Sequence, residues 1–138
     1  EIQNRIVKSK MEQLVDDNGN INSVYDTRDG STLCFDYWSG RYFYSDIDYI
    51  KTRINQLNEY TLNDALADPN TFTKLNDVYD YIGLPQTASA EDLVWRLNKE
   101  GLVELRPSSI LVDDDRPCWV LNFRRAPVHI PDWQWDRM

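Results

Sequence analysis

Six aromatic side chains fall within the ten residues Phe35-Asp36-Tyr37-Trp38-Ser39-Gly40-Arg41-Tyr42-Phe43-Tyr44, divided evenly about the dipeptide Ser39-Gly40. Two β-prone runs joined by a glycine-containing dipeptide specify a β-hairpin, because glycine supplies the positive φ that a two-residue turn needs. The hairpin is expected from about Thr32 to Tyr44. Alternation places Leu33, Phe35 and Tyr37 on one face, and Cys34 and Trp38 on the other. With large groups on both sides, one face is expected to meet a helix and the other a partner. Tyr37, Trp38, Arg41, Tyr42, Phe43 and Tyr44 have the composition of interface hot spots, which are rich in aromatic rings and arginine. The competing expectation is that these rings are the core of the sheet.

The rest of the chain reads as mixed α and β. Residues 1–15 place Ile2, Ile6, Met11, Leu14 and Val15 roughly along one helical face. Residues 16–31 turn to Asp, Asn, Gly and Ser and read as a loop. Ser45-Asp46-Ile47-Asp48 has the order of a helix start, followed by Ile47, Ile50, Ile54 and Leu57 at helical spacing, with an end near Asn58–Tyr60. Asp68-Pro69-Asn70 is a turn. A second helix is expected from about Lys74 to Tyr81, capped by Gly83 and stopped by Pro85. A third is expected over about 90–100, opened by Ser89-Ala90-Glu91-Asp92 and stopped at Gly101. Leu102–Leu105, Ile110–Val112 and Cys118–Phe123 are strand-like. The end of the chain, 127–138, is rich in proline and tryptophan and reads as an extended strap, with Trp133 and Trp135 as further candidate contact residues. The expected fold is therefore α+β: a small antiparallel sheet, made of the aromatic hairpin and the C-terminal strands, packed by three to four helices. Residues 1–15 form an N-terminal helix and 16–138 a single domain.

Charge narrows the function classes. The net charge is −8, distributed as +1 over residues 1–15, −7 over 16–83 and −2 over 84–138. An acidic surplus disfavours direct nucleic-acid binding, which draws on Lys and Arg to displace counterions. It suits a basic protein partner or simple solubility. Cys34 and Cys118 lie in apolar runs and read as buried free thiols, with a disulfide open only if their strands are neighbours. His129 is the sole histidine and sits between Val128 and Ile130 near two prolines, a poor setting for a catalytic base. Cys34, Cys118 and His129 offer no local pair of zinc ligands. Asp16-Asp17-Asn18-Gly19-Asn20 fails the calcium-loop register, with Ile21 at the sixth position and Thr27 at the twelfth. Asp113-Asp114-Asp115 reads as a loop of solvated charges. No phosphate-binding, dinucleotide-binding or nucleophile-elbow motif is present. The chain is thus expected to be non-enzymatic and to need no cofactor or metal.

The order of an aromatic Tyr37-Trp38-Ser39-Gly40-Arg41-Tyr42-Phe43 hairpin, a helix, then Leu75-Asn76-Asp77-Val78-Tyr79-Asp80-Tyr81-Ile82-Gly83-Leu84-Pro85, an apolar strand and a strap with Pro127 and Pro131 resembles a family of phages and prophages of Gram-positive bacteria. The resemblance implies a small phage or prophage protein of unknown function, often with a hydrophobic segment that would lie before Glu1. It supplies no catalytic residues. The first helix would then be a stalk to a removed upstream segment, giving a location in the host cytoplasm with a membrane tie only through that segment. The leading expectation is action by contact with a host or phage protein. The alternatives are a virion assembly component, an acidic inhibitor of a host defence protein and, last, a metal-dependent enzyme.

Overall fold

The structure is a computed structural model and describes the backbone of residues 24–26 together with residues 32–112 and 115–130. The expected helix 1–15, Asp113, Asp114, Trp133 and Trp135 lie outside the described residues, as does the expected loop 16–31 apart from residues 24–26, which form a strand rather than loop. Two compact units share the chain. The first holds residues up to Ile47 and returns at Arg106–Asn122. The second holds Asp48–Leu105 and resumes at Phe123.

The first unit contains a five-stranded mixed sheet built from β1 (Val24–Asp26), β2 (Thr32–Asp36), β3 (Arg41–Ser45), β6 (Ser108–Val112) and β7 (Arg116–Leu121). Its strand order is β1-β3-β2-β7-β6. The β2–β3 and β6–β7 pairs are antiparallel, whereas β1–β3 and β2–β7 are parallel. A parallel neighbour needs a long crossover rather than a tight turn, and the chain between β2 and β7 supplies it. The aromatic hairpin lies where the sequence places it, and β2 occupies the centre of the sheet. Register puts Leu33 and Phe35 on the same face as Tyr42, Tyr44, Cys118 and Val120. Leu33, Phe35, Tyr42, Cys118 and Val120 form a buried cluster, with Tyr37, Tyr44, Ile110 and Val112 packed on its margin. On the opposite face Cys34, Phe43 and Leu121 are also buried. A strand buried on both faces reads as a continuous apolar run rather than an alternating one, which is what Leu33-Cys34-Phe35 shows.

In the second unit α1 (Ile47–Asp64) buries Ile50, Ile54, Leu57 and Thr61, a stripe at spacings of four, three and four. The helix runs past the expected end near Tyr60 because Thr61 continues the stripe. Its hydroxyl donates to the Leu57 carbonyl at 3.0 Å and contacts the Thr73 hydroxyl at 3.0 Å. The Asp68-Pro69-Asn70 turn forms as expected, with the Asn70 N–H donating to the Asp68 carboxylate at 3.0 Å. A short strand, β4 (Phe72–Lys74), precedes α2 (Leu75–Ile82). The Asp77 carboxylate accepts the Lys74 N–H at 2.9 Å and closes the start of α2. At the other end Gly83 adopts φ +88°, and the Leu84 N–H donates to the Tyr79 carbonyl at 2.9 Å, the left-handed cap that glycine favours.

The expected helix over 90–100 is absent. A single 3₁₀ turn (Ser89–Asp92) leads directly into β5 (Leu93–Arg96), the middle strand of an antiparallel β4-β5-β8 sheet closed by β8 (Val128–His129). Among the described residues there are accordingly two α-helices and two small sheets, rather than three to four helices on one sheet. Two contacts decide for the strand. The buried Trp95 donates its indole N–H to the Arg125 carbonyl at 2.8 Å. The Glu100 carboxylate accepts from the Arg96 backbone N–H at 2.9 Å and from its guanidinium at 2.9 and 2.7 Å. That fork holds the tight turn that Gly101 completes at φ +88°. Leu102–Leu105 is not a strand; among the described residues its β pairing is the isolated bridge Leu105–Phe123. Asn58 compensates there, with its side-chain amide donating to the Val103 carbonyl at 2.9 Å and its oxygen accepting the Val103 N–H at 3.1 Å.

The Arg96 guanidinium holds the Glu100 carboxyl down to about 2, from an ordinary value of 4.5. A carboxyl depressed in the fold adds stability that is complete above its unfolded pKa and is lost as the pH falls through the folded one. Urea unfolding of the native chain is therefore expected to lose about 1–2 kcal/mol more than Glu100→Gln as the pH falls from about 4.5 to about 2. Equal losses in the two proteins would show that the fork contributes nothing.

Candidate functional site

Of the residues singled out in the hairpin, Tyr37, Trp38 and Arg41 stand at its turn, and Tyr42, Phe43 and Tyr44 follow along β3. Strand β2 ends at Asp36 and β3 begins at Arg41, so the connection is a four-residue loop, Tyr37-Trp38-Ser39-Gly40, rather than the two-residue Ser39-Gly40 turn. The reason is Asp36. Its side chain is 1% exposed, and its carboxylate accepts the Ser39 N–H at 2.9 Å and the Ser39 hydroxyl at 2.5 Å. The same hydroxyl accepts from Arg41 Nε at 2.8 Å. Ser39 thus relays between a carboxylate and a guanidinium whose residues face each other across the strands. Opposite charges in that register stabilise the pair. The Gly40 N–H donates to the Asp36 carbonyl at 2.8 Å, and Gly40 itself sits at φ +68°.

A β-carbon at Gly40 would meet nothing within 4 Å, so a substitution there is opposed by backbone conformation alone. Gly40→Ala is expected to cost about 1–2 kcal/mol. Gly40→Asn should cost less, because asparagine visits the left-handed region. Equal costs for the two, measured by urea unfolding, would contradict this account of the turn.

The aromatic residues stand on this scaffold. The Tyr37 N–H donates to the Leu121 carbonyl at 3.2 Å and continues the β2–β7 ladder into the loop. Trp38 donates its indole N–H to the Asn122 side-chain oxygen at 3.2 Å, and its ring meets Tyr37 edge-on at 5.8 Å between centroids. Tyr37, Trp38, Arg41 and Tyr44 are half-buried. Tyr42 is different: it is 1% exposed and lies 5.0 Å from the Phe35 ring, inside the core cluster. Phe43 is fully buried on the other face. The structure therefore brings Tyr37, Trp38, Arg41 and Tyr44 together at one hairpin and places Tyr42 beneath the surface. Asn122 was not legible as a partner of Trp38; its position one residue after β7 gives no local signal. Trp119, half-buried on β7, belongs to the sheet as well and could have been read from the alternation along Cys118–Leu121.

The other candidate groups lie elsewhere. Cys34 and Cys118 are on adjacent strands, yet Cys118 is the register partner of Leu33, which places the two sulfurs on opposite faces of the sheet. Both thiols are free, and burial pushes each up to about 12, so they remain protonated near neutrality. His129 is largely exposed on β8, with Nε2 at 3.9 Å from the Asp92 carboxylate. Among the described residues no three His, Cys, Asp or Glu side chains gather closely enough to hold a metal ion. No described helix is long and apolar enough to cross a membrane.

A second buried polar cluster has a local structural role. Asn76 is 2% exposed and donates to the Thr87 carbonyl and to Glu91, while its oxygen accepts the Thr87 N–H, all at 2.8–2.9 Å. Lys74 pairs with Glu91, and that hydrogen bond, supported by Asn76, lowers the Glu91 pKa. The cluster pins the loop after α2 to the start of that helix. Arg53 acts similarly at Tyr81, donating to its carbonyl at 2.7 Å and lying 4.7 Å over its ring.

Comparison with known proteins gives a family and no activity. Residues 1–132 match a family of unknown function, DUF6353, and the chain belongs to that family. No curated protein matches the chain, and no solved structure does.

Proposed function

We propose, on the premise of membership in a family of unknown function, that this chain is a non-enzymatic protein that acts through protein–protein contact at the β2–β3 turn. The observation that carries the reading is the construction of the turn. Two half-buried aromatic rings, Tyr37 and Trp38, stand on the loop and Arg41 follows at the start of β3, all locked from behind by Asp36, Ser39 and Asn122. Aromatic and arginine anchors dominate interface energies, and a loop already fixed in shape loses less entropy on binding. The resemblance of the hairpin and the Leu75–Pro85 segment to phage and prophage proteins supports a phage or prophage origin, with work in the bacterial host cytoplasm.

Among the alternatives, the charge distribution favours an acidic inhibitor of a host defence protein over a virion assembly role. The −7 carried by residues 16–83 suits a basic groove. Affinity capture with the full chain and with Trp38→Ala, at low and high salt, separates the readings. The turn reading expects one dominant protein captured at both salt concentrations and lost with Trp38→Ala. Loss of the same protein at high salt irrespective of Trp38 would assign the contact to the acidic surface. Equal capture by both baits at both salts would overturn the turn reading.

A further inference from the structure

Among the described residues, three of the four exposed large apolar side chains fall at the end of α1: Tyr60 at 63%, Leu62 at 49% and Leu66 at 87%. The winding continues past Asp64, since the Ala65 N–H donates to the Thr61 carbonyl at 3.0 Å and the Asp68 N–H to the Asp64 carbonyl at 3.1 Å. Leu62 and Leu66, four residues apart, therefore form one ridge, with the exposed Glu59 one turn before Leu62 on the same side. That ridge lies outside the buried stripe of Ile50, Ile54, Leu57 and Thr61. Single exposed leucines are ordinary, whereas apolar groups gathered at one place mark a contact surface.

Charge says what covers the ridge. From Ile54 to Thr73 the chain carries Glu59, Asp64 and Asp68 and no Lys or Arg. The last turn of α1 holds no basic residue, although a cation there would offset the partial negative charge of the helix end. Carboxylates and helix dipole thus add rather than cancel. A second copy docked about a two-fold axis would set these acids against themselves, and an anionic lipid surface would repel them. We infer that the Leu62–Leu66 ridge docks a basic amphipathic helix of a partner protein. Apolar side chains of that helix seat on Leu62 and Leu66, and its Lys or Arg residues face Glu59 and the helix end. A ridge of residues four apart is the surface on which a second helix packs. This surface belongs to the second unit and does not rest on the reading of the β2–β3 turn.

The test is fluorescence anisotropy with two labelled synthetic amphipathic helices, one of Leu and Lys and one with Glu in place of every Lys, each titrated with the full chain. The expected result is micromolar binding of the Leu/Lys helix and none of the Leu/Glu helix. Leu62→Ser combined with Leu66→Ser should raise the dissociation constant about tenfold or more, with little change in melting temperature because both side chains are exposed. Glu59→Lys should weaken binding as well, and Trp38→Ala should leave it unchanged. Failure of the Leu/Lys helix to bind, or equal affinity for the native chain and the double leucine variant, would overturn the inference. A dimer in sedimentation equilibrium, or retention on phosphatidylserine vesicles, that disappears with the leucine substitutions would assign the ridge to another occupant and equally overturn it.

Discussion

Tyr42→Ala is expected to destabilise the five-stranded sheet by about 3–5 kcal/mol, the usual cost of deleting a buried aromatic ring. Tyr42 is 1% exposed, packs 5.0 Å from Phe35, and stands directly across from it in the β2–β3 register. Removal of the ring opens a cavity between Leu33, Phe35 and Val120 in the middle of the cluster, where neighbouring strands cannot collapse without breaking their ladders. Trp38→Ala is the contrast. Trp38 is half-buried and its indole makes one hydrogen bond to Asn122 at 3.2 Å, so its loss should cost about 1 kcal/mol. Urea unfolding of the two variants side by side measures this directly. A cost for Tyr42→Ala close to that of Trp38→Ala would contradict the division of the hairpin into a core ring and surface rings.

Trp95→Ala should produce a loss of similar size in the second unit, about 3–5 kcal/mol. Trp95 is 1% exposed at the centre of the β4-β5-β8 sheet, and its ring meets Phe123 edge-on at 4.9 Å. Its indole N–H also holds the Arg125 carbonyl at 2.8 Å. Trp95→Phe keeps part of the packing and leaves that carbonyl without its donor. It should therefore fall between the native chain and the alanine variant, costing about 1–3 kcal/mol. A Trp95→Ala protein as stable as the native chain would show that this ring does not anchor β5.

These residues also show how far the sequence reaches. The second helix was legible because every local signal agreed: Leu75, Val78, Tyr79 and Ile82 at helical spacing, then Gly83 to cap and Pro85 to stop. The segment after it was not. Leu93, Val94 and Leu97 fit one helical face as well as a strand, since the three-residue apolar run Leu93-Val94-Trp95 has no period of its own. The choice was made by contacts distant in sequence, Trp95 with Arg125 and β5 with β8, and by the Arg96–Glu100 fork. β1 and β4 are three residues each and exist through their pairing, so a reading along the chain passes over them as loop. The hairpin turn was located correctly and sized wrongly, because the capture of Ser39 by the Asp36 side chain lengthens it. Of the candidate site, composition gave the rings, and only packing against Phe35 separated Tyr42 from Tyr37, Trp38 and Tyr44. The β2–β7 register settles the cysteines: adjacent strands met the condition for a disulfide, and opposite faces removed it.

The central claim, that the β2–β3 turn is the contact surface, is tested most directly by a photo-crosslinking amino acid placed at Trp38 in the full chain and activated in the cells that express it. An identical probe at the exposed Lys51 on α1 serves as the reference position. The account predicts a discrete crosslink to one partner protein from position 38 and none of comparable yield from position 51. Equal crosslinking from both positions, or none from position 38 while position 51 reacts, would contradict it.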